Sequence, residues 1–123
     1  MSKNRKCQVL VIGAGPGGYV AAIRSAQLGL DTIIVEGEKA GGVCLNVGCI
    51  PSKAIIHAAE RYEALGKHSK EEGHMGITVS GNTEIEMKGI VEWKDGIVQR
   101  LTKGVSASIS ARPTPCPRYS GTA

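Results

Sequence analysis

Apolar and polar positions along the chain fall into blocks of different period. Gln8-Val-Leu-Val-Ile12 is a short β-branched run ending on glycine, and it predicts a buried parallel strand. From Pro16 to Leu28 the chain is alanine-rich, with Val20, Ile23 and Leu28 spaced to face a sheet. Gly29 follows where a helix-terminating glycine belongs. Asp31-Thr-Ile-Ile-Val-Glu36 predicts a second buried strand, so the first 36 residues read as one βαβ unit. The segment 37–48 predicts a glycine-rich loop. Pro51 suits the first turn of a helix reaching about Leu65, with Gly66 as its stop. The stretch 67–76 predicts an exposed loop. Thr83-Glu-Ile-Glu86 fits a capping box, and Ile90, Trp93, Ile97 and Leu101 then recur on one face, predicting a helix over about 84–103. After Val105 the pattern is lost: Pro113, Pro115 and Pro117 alternate with small and polar residues, which predicts no regular structure. The fold class is α/β, an incomplete parallel sheet with two further helices. Residues 1–106 form one domain and 107–123 a tail.

Composition changes this picture little. At 41% hydrophobic and 21% charged the chain is globular, but Phe is absent and aromatics are only 3%. Its core must rest on Val, Ile, Leu and Ala, which bury less area per residue than aromatics. The formal charge of +4 is mild and forms no Lys/Arg stripe, so no nucleic-acid partner is expected. No apolar run approaches a membrane span, and the start at Met1-Ser-Lys-Asn-Arg-Lys6 has no apolar leader, so a cytoplasmic setting is expected.

Gly13-Ala14-Gly15-Pro16-Gly17-Gly18 is a G-x-G-x-x-G, a weak signal alone. Here it follows a strand and opens a helix, the context of a Rossmann-like dinucleotide site. Gly13 permits the tight turn, Gly15 lets backbone approach a pyrophosphate, and Gly18 lets helix and strand pack closely. The helix start then offers unpaired N–H groups and partial positive charge to phosphates. Glu36 closes the second strand roughly 20 residues on, where an acid can accept hydrogen bonds from a ribose hydroxyl pair. The competing reading is an ordinary tight turn with a solvated Glu. The fingerprint does not separate FAD from NAD.

Gly41-Gly42-Val43-Cys44-Leu45-Asn46-Val47-Gly48-Cys49-Ile50-Pro51-Ser52-Lys53 is the most specific stretch. A close cysteine pair without secretion signals points to redox or metal chemistry rather than a disulfide scaffold. A helix N-terminus beside a sulfur favours the thiolate, which can attack a disulfide or donate electron density to a flavin. As a structural staple the short loop between the cysteines would stabilise by only about 2 kcal/mol. As a zinc site the pair lacks a second Cys/His pair nearby. Cys7 reads as an inert thiol, and His57 as a surface or groove histidine.

This stretch resembles the active-site segment of the flavoprotein disulfide reductases, the class I pyridine nucleotide-disulfide oxidoreductases. That family includes the dihydrolipoamide, glutathione and mercuric reductases. Leu45, Ile50 and Ser52 are most similar to the dihydrolipoamide dehydrogenases, and the resemblance spans residues 7 to about 105, including Glu92-Trp-Lys-Asp-Gly96. The resemblance implies FAD, held by Gly13, Gly15, Pro16, Gly17, Gly18, Glu36, Gly42, Val43, Cys44, Gly48, Cys49 and Lys53. It implies a redox-active Cys44–Cys49 disulfide, with Cys49 against the flavin and Cys44 exchanging with substrate. Lys53 would sit near the flavin ring. It further implies NAD as acceptor, homodimers, and dihydrolipoamide on the lipoyl domains of 2-oxoacid dehydrogenase complexes as partner. Family members are several times longer, and a second fingerprint for NAD is missing here. Where the family continues with a Lys/Val-rich strand this chain has its Pro/Ser/Arg tail, as a reading-frame shift or truncated gene would leave it. Two alternatives stand beside this reading: a segment of a mercuric or glutathione reductase, and a non-catalytic remnant that at most binds a nucleotide.

Overall fold

The structure, a computed structural model, describes residues 5–70, 80–110 and 118–120. Strand β1 (Val9–Ile12), helix α1 (Pro16–Gln27) and strand β2 (Thr32–Glu36) form the expected βαβ unit. β1 and β2 pair in parallel, Val9 with Thr32 through Ile12 with Val35. Pro16 stands in the first turn of α1, and Gly29 at φ 85° follows the Leu28 cap, so the helix starts and stops on the residues that predicted it.

Beyond β2 the structure differs from expectation in several places. The glycine-rich segment is not all loop: Gly42–Asn46 forms a short helix, α2. Helix α3 begins at Cys49 with Pro51 in its first turn, as expected, but runs on through Gly66 to Lys70. A glycine inside a helix costs about 1 kcal/mol relative to alanine, and the packing of α3 along the next helix outweighs it. Most of the loop expected at 67–76 lies outside the described residues. That next helix, α4, spans Met87–Ser110, shifted from the expected 84–103. Thr83–Glu86 therefore do not form its capping box. They run in ahead of it and line a groove against α3, with the Glu86 carbonyl accepting the first helical bond from Ile90 N–H at 3.1 Å. In the segment expected to be irregular, α4 continues to Ser110 and Arg118–Ser120 forms strand β3, parallel to β2. The sheet order is β1-β2-β3.

Alternation sorts β1: Val9 and Val11 are half-buried, whereas Leu10 and Ile12 are exposed. Val11 and its partner Ile34 join Ala14, Ala22, Ala40 and Ile109 in one core, with Tyr19, Ile23 and Val105 packed around it. Helices α1 and α4 thus cover the same face of the sheet. The buried set is mostly alanine and isoleucine, the aliphatic core the composition requires. By length and composition alone the stretch Gly42–Gly66 would serve as a membrane span, contrary to expectation, with a mean hydropathy of 1.2. It is two helices interrupted at Val47 and Gly48 and packed on α4, which reads as protein interior and surface rather than lipid contact.

Candidate functional site

The ends of β1 and β2 meet at the glycine turn. Gly13 takes φ 94° and donates its N–H to the Val35 carbonyl at 2.7 Å, locking the turn to β2. A Cβ on Gly18 would stand 1.9 Å from the Gly13 carbonyl oxygen, so only glycine allows α1 to start this close to the strand. Gly15 caps α1 with no side-chain hydrogen bond, leaving the helix start unblocked. Gly42 reaches this turn from α2: a Cβ there would lie 2.8 Å from the Gly15 Cα. Pro16 and Gly17 are exposed on the first turn of α1. An uncapped helix start behind a backbone cradle suits a pyrophosphate, so the residues present fit the dinucleotide that the fingerprint implies.

Glu36 ends β2 beside this turn. One carboxylate oxygen accepts the Ala14 N–H at 2.6 Å and the other the Glu38 N–H at 3.0 Å. The bonds from Glu38 and then Ala14 hold its pKa below the ordinary 4.5, against a smaller opposing push from burial. Folded Glu36 therefore takes up a proton less readily than the unfolded chain. The stability it contributes is complete above the ordinary carboxylate value and is lost as the pH falls through the depressed folded one. Glu36→Gln is expected to lie below the intact chain in urea midpoint near neutrality and to converge with it on acidification. Parallel midpoint curves across the acid range would remove this account.

The cysteine pair sits where loop becomes helix. Cys44 lies on α2, half-buried, and Cys49 is the exposed first residue of α3. No disulfide joins them. Hydrogen bonding toward Cys49, followed by desolvation and the charge a thiolate at Cys49 would bring, pushes the Cys44 thiol above its ordinary 9.0. Lys53, one turn along α3 and exposed, pulls weakly the other way.

The loop that presents Cys44 is held by bonds that the sequence did not advertise. Gly41 N–H donates to the Ala14 carbonyl at 2.8 Å, tying α2 to the glycine turn. Gly41 and Gly42 both take positive φ, at 94° and 57°. The Asn46 amide donates to the carbonyls of Ala40 at 3.2 Å and Gly42 at 2.8 Å. Gly48 closes α2 with its N–H on the Val43 carbonyl at 2.8 Å. Asn46 was missed at the sequence level. Its signal was the habit of Asn side chains to bond nearby backbone. Val43 is exposed beside the thiols. The structure thus gathers the glycine turn, Glu36, Gly42, Val43, Gly48, both cysteines and Lys53 around the strand ends and the first turn of α3. His57 lies elsewhere, stacked on Trp93 at 6.4 Å in a groove of about 570 Å³ between α3 and α4.

A βαβ unit with a glycine cradle, and a thiol pair brought to that cradle by Gly42, is the architecture of a dinucleotide-binding unit carrying redox-capable cysteines. Residues 7–111 match the family model described as pyridine nucleotide-disulphide oxidoreductase, and the chain belongs to that family. It is 55% identical over 107 residues to the dihydrolipoyl dehydrogenase of Pseudomonas aeruginosa, covering 87% of this chain and 23% of that one. It is 58% identical over 98 residues to the dihydrolipoyl dehydrogenase of Geobacillus stearothermophilus, covering 80% and 20%. Among solved structures it is similar to a Cu(II) complex of the HOCl-induced flavoprotein disulfide reductase RclA from Escherichia coli. There the TM-score is 0.72 and the identity 22%, over 96% of this chain and 22% of that one. The chain thus spans about a fifth of the length of these relatives.

Proposed function

We propose that this chain is the N-terminal, FAD-holding and thiol-bearing portion of a dihydrolipoyl dehydrogenase. One observation carries the reading: Cys44 on α2 and Cys49 at the start of α3 flank a glycine cradle that Gly42 packs against. When bound, FAD would supply the electron acceptor for the dithiol. The uncapped start of α1 would hold its pyrophosphate, and Glu36 would accept from its ribose hydroxyls on lone pairs left by the Ala14 and Glu38 amides. A dihydrolipoamide thiolate would attack Cys44, α2-borne and half-buried, in a Cys44–Cys49 disulfide and release Cys49 as the thiol on the flavin side; the second substrate thiol would then displace Cys44, leaving the substrate as its cyclic disulfide and the pair as the dithiol. Lys53, one turn beyond Cys49, would place its charge beside the electron-rich ring. The substrate on this reading is dihydrolipoamide carried by the lipoyl domains of 2-oxoacid dehydrogenase complexes. NAD as final acceptor and the homodimer are proposed for the whole protein, with the cytoplasm as the reducing setting in which the pair would cycle.

The test is redox equilibration of the intact chain in a glutathione buffer, followed by peptide mapping. Each molecule is expected to lose two hydrogens in forming one Cys44–Cys49 disulfide, while glutathione disulfide gains them as two thiols. Cys49→Ala is expected to leave Cys44 as a mixed disulfide. A chain that stays dithiol, or that pairs Cys7, would sink the redox reading. For the nucleotide, the chain alone makes few of the contacts a whole relative can make, so weak quenching of flavin fluorescence is expected, abolished by Glu36→Ala. Equal quenching by both would count against the dinucleotide site.

A further inference from the structure

Gly41 and Gly42, the hinge that carries α2, are consecutive residues at positive φ, 94° and 57°. Glycine adopts such angles without strain but leaves them easily, so the hinge needs bonds from outside to stay fixed. Two are backbone bonds: Gly41 N–H to the Ala14 carbonyl at 2.8 Å, and Gly42 N–H to the Lys39 carbonyl at 3.1 Å. Two more come from the side-chain amide of half-buried Asn46, which donates to the carbonyls on either side of Gly41. Gly42 accepts at 2.8 Å and Ala40 at 3.2 Å. Asn46 lies inside the segment that a Cys44–Cys49 disulfide would close. The other residues between the cysteines are Leu45, Val47 and Gly48, whose side chains offer no donor. The Asn46 amide is therefore the side-chain link between that segment and the hinge.

We propose that Asn46 is a positioning residue that sets the thiol–disulfide equilibrium of Cys44 and Cys49, a role that rests on the redox use of that pair. With the amide in place, the dithiol segment is already ordered, so closing the ring freezes little further freedom. Without it, the dithiol segment can relax and return the Ala40 and Gly42 carbonyls to water. A disulfide closes the ring around position 46 and restricts that relaxation, so the disulfide form carries the greater loss. Removing the amide therefore favours the dithiol. A hydrogen bond felt in one of two states and not in the other moves the equilibrium between them by roughly tenfold.

Equilibration of the full chain and its variants in glutathione buffers of graded potential, with peptide mapping of the Cys44–Cys49 disulfide, tests this role. Asn46→Ala should lower the constant for disulfide formation about tenfold, which raises the potential by about 30 mV. Asn46→Asp, of nearly the same size but with no N–H to give, should shift it at least as far. Asn46→Ser keeps one donor and should shift it less; as the mildest replacement it carries the test if the others do not fold. Time courses add a second readout. Cys44 takes one glutathionyl group from glutathione disulfide and releases one thiol; Cys49 then displaces the other. Asn46→Ala should slow that second step, so the mixed disulfide accumulates. Thr32→Ala removes a hydroxyl bonded to the Leu30 carbonyl at 3.0 Å, at the end of β2 away from the thiols. It should lower the urea midpoint and leave the potential unchanged. Asn46 variants that keep the potential of the intact chain, or an equal shift in Thr32→Ala, would overturn the positioning role and leave the redox use standing. An intact chain that forms no Cys44–Cys49 disulfide would overturn both.

Discussion

Gly18→Ala is expected to lower the stability of the chain by about 3 kcal/mol or more, and Gly17→Ala, one residue away, to leave it unchanged or slightly raised. The new Cβ at position 18 would stand 1.9 Å from the Gly13 carbonyl oxygen and 3.0 Å from its carbon. Both are backbone atoms, so no side chain can swing aside. Gly13 cannot retreat either. Its positive φ and its 2.7 Å bond to the Val35 carbonyl fix it where β1 and β2 converge. Relief must come from α1 lifting off the sheet, which opens the contacts of Ala22 with Ile34 and Ile109. Overpacking a core typically costs 1–3 kcal/mol and sometimes more, and backbone with no slack belongs at the upper end. Small domains hold only about 5–15 kcal/mol in all. At position 17 nothing lies within 4 Å of the new methyl and φ is helical, so alanine removes only unfolded-state freedom. Urea midpoints of the two variants make the comparison. Equal midpoints would mean that the close approach of α1 to β1 is not a constraint on this fold.

The same residues show why part of the fold could be read in advance. β1, α1 and β2 each carry their signals locally: β-branched runs, Pro16 at a helix start and Gly29 after a helix end. Gly18 and Glu36 were legible because a close approach and a strand-end acid leave residue-type traces at fixed spacing. The cysteine pair was legible for the same reason. α2 was not, because a single turn of helix has no period to detect, and what holds it is tertiary: Gly41 on Ala14, and Asn46 on Ala40 and Gly42. The start of α4 was misplaced because Thr83–Glu86 satisfy a local capping rule, yet they run in ahead of the helix along the groove beside α3. Its end was placed too early because residues 106–110 look polar. The signal was present in Val105 and Ile109, which continue the apolar spacing past Leu101 and pack into the core. β3 left no such trace, because it pairs through backbone with the open edge of β2.

Ile109→Ala is expected to cost between about 2 and 5 kcal/mol, toward the upper half of that range. Ile109 is 1% exposed and lies in one cluster with Ala14, Ala22, Ile34 and Ala40. Three of those four neighbours are alanines, whose side chains have no length to swing into the space left behind. Cavities that cannot collapse are the expensive ones. The nearby Leu101, 42% exposed, gives the contrast: Leu101→Ala should cost far less, since little of that side chain leaves water on folding. A chain ending after residue 106 loses Ile109, the last turn of α4 and strand β3 together, and its urea midpoint should fall at least as far as that of Ile109→Ala. If the shortened chain and Ile109→Ala both unfold at the midpoint of the intact protein, α4 does not close this core. Residues 107–110 would then be a tail, and the βαβ unit would have to be stable on the packing of Ala14, Ala22 and Ile34 with Val11, Tyr19 and Ile23.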